Sequence, residues 1–241
     1  MIIRDMTEHD ILGEEIIRLE NVTKRFDQRT VLDNTTMSIK QGQIISIMGE
    51  SGAGKSTLLN ILGFFDYPTS GEYYFNKKHV KKEDDRNTLR NLYMGFVFQS
   101  YNLIQGMTVY ENIVLPVYYS LKCKNNIQKW VSRIPELLKR FNIEHIKNSL
   151  TDYISGGEKQ RVCMARAIVC DAPIIISDEP TGNLDSENKQ IILNEFKRMN
   201  NEGKTIIIVT HDSEVQNIAS IKYDLKKGKL LLDEEQTVIT C

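Results

Sequence analysis

No stretch of this sequence approaches the roughly 20 consecutive apolar residues that a membrane-spanning helix requires, so the chain is not expected to cross a bilayer on a helix of its own. Its opening, MIIRDMTEHD, lacks a basic region followed by an apolar core, and no secretory leader is expected there. Cysteine is scarce. Cys123, Cys163, Cys170 and Cys241 form no CxxC pair and no zinc-ligand spacing, so they read as free thiols in a reducing compartment. A surplus of charge is also missing. The 31 Lys and Arg are balanced by 32 Asp and Glu, for a net charge of -1. That excludes the chain-wide basic field of many nucleic-acid-binding proteins, and no nucleic-acid partner is expected. No internal repeat and no low-complexity block interrupts the 241 residues. What is there is ordinary globular composition, 41% hydrophobic and 26% charged, in a chain long enough to bury a core without covalent staples.

The apolar pattern divides the chain. Residues 1–16 read as a polar, acidic extension, and residues 17–241 as the folded domain. A strand is expected from Ile17 through RLENVTK, another in LDNTTMSI around Leu32, Met37 and Ile39, and a short apolar one over residues 44–48. GEYYF, residues 71–75, reads as an antiparallel edge strand. Residues 101–158 read as a mainly helical insertion. There Thr108 and Glu111 match a capping box, opening a helix through Val109, Ile113 and Leu115 that Pro116 should kink or end. Ile127, Trp130, Val131, Ile134, Leu137, Leu138 and Phe141 share one face at a period near 3.6, with Pro135 inside the pattern. Strand-helix alternation then returns: PIIIS, a helix capped by Asp185 or Ser186 and carrying Ile191, Ile192, Phe196 and Met199, the strand TIIIV, and a final hairpin arm in LKKGKLLLD. Short apolar strands between helix-length segments imply a largely parallel sheet covered on both faces.

Within this frame GESGAGKST, residues 49–57, satisfies G-x-x-x-x-G-K-[ST] completely. It follows an apolar strand and precedes LLNIL, a helix start. Gly49, Gly52 and Gly54 let the backbone curl so that N–H groups of the loop, Ser51 and Ala53 included, converge on phosphate oxygens, and the helix N-terminus beyond adds a favourable dipole. Lys55 places a cation on the β- and γ-phosphates, Ser56 offers a hydroxyl to Mg²⁺, and Thr57 completes the segment. The structural alternative is a plain glycine turn with an exposed Lys55. PIIISDEP sets Asp178 and Glu179 at the end of a buried strand, where charge is costly. Asp178 is placed to anchor Mg²⁺, and Glu179 to orient or deprotonate the attacking water. The alternative is a surface turn closed by Pro180.

In YISGGEKQRVCMARAI, residues 153–168, Ser155 and Glu158 form a second capping box around Gly156 and Gly157. The glycines leave an uncovered, partly positive helix start able to take an anion. A purely structural cap is the alternative. With this segment the chain resembles the ABC-transporter ATPase family from about Ile17 to Asp233. It differs in Ile154 and Glu158, where the family usually has Leu and Gln. The resemblance implies an α/β P-loop NTPase with a RecA-like, mainly parallel sheet core, an antiparallel β subdomain and an inserted helical subdomain. It implies MgATP as cofactor and a homodimer in which the Lys55 loop of one copy and the Ser155 segment of the other enclose ATP. Residue by residue, it makes Gln99 the loop glutamine at Mg²⁺ or the attacking water, Asn183 to Asp185 the segment communicating between paired sites, and His211 the histidine that holds the γ-phosphate and Glu179. It makes Phe26 the aromatic on adenine. The alternatives are a strand-end glutamine, a helix cap at Asp185, a packed or surface histidine, and a core aromatic between Val22 and Val31.

The resemblance further implies an ATPase at the cytoplasmic face of the cell membrane, driving a separate permease docked on the region after Gln99, residues 100–119. The alternative there is that these residues only cover the helical core. VFQSYNLIQGMTVYENIVLP and SDEPTGNLDS resemble the branch serving lipoprotein release, macrolide or peptide efflux and bacitracin-type resistance. That branch implies export or extraction of peptide, lipid, lipoprotein or drug. A regulatory or mechanotransmission module, as in cell division, is the alternative. A soluble relative acting on DNA or ribosomes would carry a long coiled-coil insertion or a second cassette, and neither is found.

Overall fold

Residues 15–182 and 184–233 are described in a computed structural model of the chain. The expected N-terminal extension and Asn183 therefore lie, apart from residues 15 and 16, outside the described residues, as does Cys241. In chain order the strands are β1 (Glu15–Phe26), β2 (Arg29–Lys40), β3 (Ile44–Met48), β4 (Ser70–Phe75), β5 (Lys78–Val80), β6 (Met94–Phe98), β7 (Ile174–Asp178), β8 (Thr205–Val209), β9 (Ile221–Lys226) and β10 (Lys229–Leu232). The helices are α1 (Lys55–Leu62), α2 (Arg86–Tyr93), α3 (Val109–Tyr119), α4 (Ile127–Val131), α5 (Ile134–Arg140), α6 (Gly156–Ile168), α7 (Ser186–Asn201) and α8 (Ser213–Asn217).

The strands form two sheets. One runs β10-β9-β3-β8-β7-β6 and is parallel except for the β9–β10 hairpin. The other, β2-β1-β4-β5, is antiparallel. The apolar runs in β3, β7 and β8 lack polar alternation because both faces of the parallel sheet are covered. Ile45, Ile47, Ile174, Ile176, Ile207 and Val209 join the core shared with α1 and the antiparallel sheet. Their neighbours Ile175, Ile206 and Ile208 join the core under α3 and α5 to α7. Successive residues of one strand therefore hold the two layers together. The phenol of buried Tyr73 donates to Leu62 O at 2.9 Å and its ring stacks on Phe64 at 5.1 Å, tying β4 of the antiparallel sheet to the end of α1. Burial pushes the Tyr73 phenol well above its ordinary pKa.

Some local expectations shift. The first strand starts at Glu15, and Ile16 is buried. GEYYF is not an edge: β4 lies between β1 and β5, and the three-residue β5 is too short to register as a period. Both halves of the Thr108–Glu111 capping box form, but Pro116 does not end α3, which runs on to Tyr119. The periodic segment of residues 127–141 is two helices, broken at Ser132 and Arg133, with Pro135 in the first turn of α5. Proline suits that position because a first-turn N–H has no intrahelical partner to lose. On α7, Ile192, Phe196 and Met199 are buried as the spacing predicts, while Ile191 is 37% exposed. Among the described residues no helix is long and apolar enough to cross a membrane.

Candidate functional site

Parallel register brings several of the candidate residues together. Asp178 pairs with Val209 and Ile47 with Val209, so β3, β7 and β8 end at one level. The loop after β3 carries residues 49–54 to the start of α1. Gly52 and Gly54 have φ of +78° and +106°, in the region side chains resist. A Cβ on Gly54 would also come within 2.9 Å of Val31 O, so β2 leaves room only for glycine. The Lys55 ammonium donates to Gly49 O at 2.6 Å and Glu50 O at 3.1 Å and lies along its own loop.

A cleft of about 490 Å³ is lined by Phe26, Ser51, Gly52, Gly54, Lys55, Ser56, Thr57, Gln99, Asp178 and Glu179, with Arg29 and Val31 added. Arg29 carries no sequence signal of its own; only the β1–β2 hairpin brings it to the cleft. Phe26 is 49% exposed, which removes the core alternative. Gly49 and Ala53 face an adjoining cavity that His211 also lines.

At the β7 end of the cleft, Glu179 sits in the left-handed region (φ +47°) just past β7, and its N–H donates to Val209 O at 2.9 Å. Its Oε2 lies 2.9 Å from His211 Nδ1 and accepts from the His211 N–H and the Thr210 hydroxyl, each at 3.3 Å. Burial, reinforced by the Glu179 charge, raises the Asp178 carboxyl above its ordinary pKa, with Lys55 opposing. A divalent cation would relieve that cost. Ser56, Gln99 and Asp178 offer oxygen donors to the same cleft, the set Mg²⁺ prefers. Among the described residues no cluster of three or more His, Cys, Asp or Glu could hold a metal.

Gln99 is exposed at the end of β6, and a Cβ on Gly182 would stand 3.1 Å from its Nε2. Gly182 thus makes room for Gln99, a relation no local spacing reveals. Beyond Gln99 the chain turns through Tyr101 and Asn102, both with positive φ. From α6, Arg166 donates to Tyr101 O at 2.8 Å and Asn102 O at 2.6 Å, and the Cys163 thiol donates to Tyr101 O at 3.0 Å. Burial pushes the Cys163 thiol up to about 12. Tyr101 and Leu103 pack on the helical core, whereas Ile104, Tyr118 and Tyr119 are exposed. Nearby, an open groove of about 270 Å³ lies between the parallel sheet and the helices, lined by Phe65, Phe96, Phe98, Pro116 and Tyr119 and flanked by Arg90 and Arg166.

Ser155, Gly156, Gly157, Glu158 and Asp185 do not line the Lys55 cleft. The Ser155–Glu158 box closes on both sides, and the bonds from Ser155 hold the Glu158 carboxyl below its ordinary range. The two glycines are not bare as expected. Gly157 is buried beneath Asn188, and the Tyr101 hydroxyl lies 3.1 Å from where a Gly156 Cβ would be. Asp185 caps α7, accepting from the Asn188 N–H at 2.8 Å.

Comparison with known proteins agrees with this geometry. The family model described as ABC transporter matches residues 32–182. A macrolide export ATP-binding/permease protein of Campylobacter jejuni is 37% identical over 223 residues, covering 92% of this chain and 34% of the relative. The chain thus spans about a third of the length of that relative. An uncharacterized ABC transporter ATP-binding protein of Methanocaldococcus jannaschii is 39% identical over 228 residues, covering 91% of this chain and 97% of the relative. Among solved structures, a dimeric ATP-binding cassette in a post-hydrolysis state, bound to ADP and Pi, superposes with a TM-score of 0.79 at 37% identity. It covers 89% of this chain and 96% of the other.

Proposed function

This chain belongs to the ABC transporter family as an ATP-binding, ATP-hydrolysing cassette, and we propose that two copies act together as the motor of a membrane export system. The observation that carries the reading is a division within one copy. The Lys55 loop, Asp178, Glu179 and Gln99 share a cleft, while the Ser155 segment, shaped like an anion-binding helix start, lies outside it. A second copy placed head to tail supplies the missing wall, and the dimeric relative bound to ADP and Pi supports that arrangement.

In this reading Phe26 stacks on the base, and Lys55 with the N–H groups of the glycine loop holds the β- and γ-phosphates. Ser56, Gln99 and Asp178 hold Mg²⁺, which supplies charge neutralisation for phosphoryl transfer when bound. Glu179 orients the attacking water and takes its proton, and His211 keeps the Glu179 carboxylate in place. Residues 155–157 of the second copy close over the nucleotide. ATP is then part of the interface, so its binding favours the closed pair and its cleavage releases it.

The membrane partner docks along residues 100–119 and the aromatic groove beside them, whose exposed Ile104, Tyr118 and Tyr119 offer apolar surface. In this reading the chain works at the cytoplasmic face of the membrane. The macrolide export relative favours export of a drug, peptide, lipid or lipoprotein. The experiment is a pair of measurements on a Glu179→Gln chain. It should form MgATP-dependent dimers and hydrolyse about 10² to 10⁴-fold more slowly than the parent. Turnover at the parental rate, or dimers indifferent to MgATP, would overturn the reading.

A further inference from the structure

Gly157 is buried, and a Cβ there would stand 2.4 Å from Asn188 Oδ1 and 2.5 Å from its Cγ. The notch above the second residue of α6 is therefore filled by a side chain from the first turn of α7. Asn188 uses its N–H and both polar atoms of its side chain in place. Its N–H donates to Asp185 Oδ1 at 2.8 Å, and its Nδ2 donates to Asp185 Oδ1 at 3.0 Å and Oδ2 at 2.9 Å. Its Oδ1 accepts from Arg161 Nη1, one helical turn beyond Gly157. The Asn188 bonds hold the Asp185 carboxyl below its ordinary range, with Arg161 adding to the effect. The same guanidinium also helps to lower the Glu158 carboxyl.

We propose that Asn188 is a positioning residue that ties the Asp185 loop to the start of α6, so that both segments offered to a second copy move as one body. The inference rests on the proposed ATP-dependent pairing. Two independently mobile segments would each have to be ordered on closing, an entropic cost that the Asn188 bridge meets in advance. It also says why residue 157 is glycine: it must admit Asn188.

The test uses the full chain carrying Glu179→Gln, with pairing followed by analytical ultracentrifugation across a MgATP titration. Binding of a fluorescent ATP analogue is read at protein concentrations too low for pairing. Asn188→Ala should raise the MgATP needed for half-maximal pairing about tenfold, in the range of coupling between contacting residues, while the analogue binds the lone subunit as before. Gly157→Ala alone should pair worse than Asn188→Ala, because its methyl strikes the amide. The double variant, with the amide gone, should recover to the Asn188→Ala level. The inference is overturned if Asn188→Ala pairs like the parent, if the double variant is no better than Gly157→Ala, or if Asn188→Ala weakens analogue binding to the lone subunit as much as it weakens pairing. If the Glu179→Gln parent itself fails to pair with MgATP, the pairing falls, and this inference with it.

Discussion

His211 Nδ1 stands 2.9 Å from Glu179 Oε2, and the same oxygen accepts from the His211 main-chain N–H at 3.3 Å. Side chain and backbone of one residue thus grip one carboxylate oxygen. The Glu179 side chain is only 11% exposed, while that of His211 is 68% exposed. The histidine is therefore the member of the pair able to move when a ligand arrives. His211→Ala should lower turnover by about 10² to 10³-fold, the usual effect of losing one organised transition-state contact. ATP affinity of the lone subunit should change little. Phosphate release against enzyme concentration, with a separate nucleotide titration, checks both.

Asp178 should leave a mark on stability. Its carboxyl titrates above the ordinary value of about 3.9 because burial and Glu179 disfavour its charge. The native state then binds this proton more tightly than the unfolded chain. Stability accordingly falls as pH rises through the window just above that ordinary value, and the deficit persists at neutral pH. Asp178→Asn should raise the melting temperature of the nucleotide-free protein at pH 7, lose that advantage below about pH 4, and weaken Mg²⁺-dependent hydrolysis. Thermal melts across pH and a Mg²⁺ titration of turnover read out the two effects. An unchanged melt at pH 7 would contradict the assigned burial cost.

Phe26 presents an exposed ring at the cleft mouth, with Lys24 Nζ 5.0 Å from its centroid. Stacking needs a flat face, so Phe26→Tyr should retain ATP binding. Phe26→Ala should lose about 1 kcal/mol, or roughly fivefold in Kd. Calorimetric titration distinguishes the two variants.

Arg166 holds the turn after Gln99 through two carbonyls, Tyr101 O and Asn102 O. Charge-assisted bonds contribute about 1.5 to 3 kcal/mol each where water cannot substitute; Arg166 is partly exposed, so a net loss of about 2 kcal/mol is expected for Arg166→Ala. In a chain of this size that lowers the melting temperature by about 4 to 8 °C. Hydrolysis should fall with it, because Gln99 is two residues from the freed carbonyl.

The legible parts were those whose signal is local. Gly54 and Lys55 announce a strand-loop-helix turn, the isoleucines of β3, β7 and β8 announce buried parallel strands, and Thr108 with Glu111 announces a helix start that forms as expected. What could not be read depends on distant approaches. Asn188 over Gly157, Gly182 beside Gln99, and Arg166 on Tyr101 join residues that no periodicity connects. Proline misled in a specific way. Pro135 looked like an interruption within one helix but belongs to the first turn of a second, and the break falls at Ser132 and Arg133 just before it. β5 escaped because three residues are too few to show alternation.

The separation of Ser155 from the Lys55 cleft has a genetic consequence under the proposed pairing. A chain crippled at Lys55 and another crippled at Ser155 would each be inert alone, since every site in either homodimer inherits the fault. Mixed together they would form heterodimers in which both lesions fall in one site and the other site is wild type throughout. Two dead alleles expressed side by side should therefore complement one another.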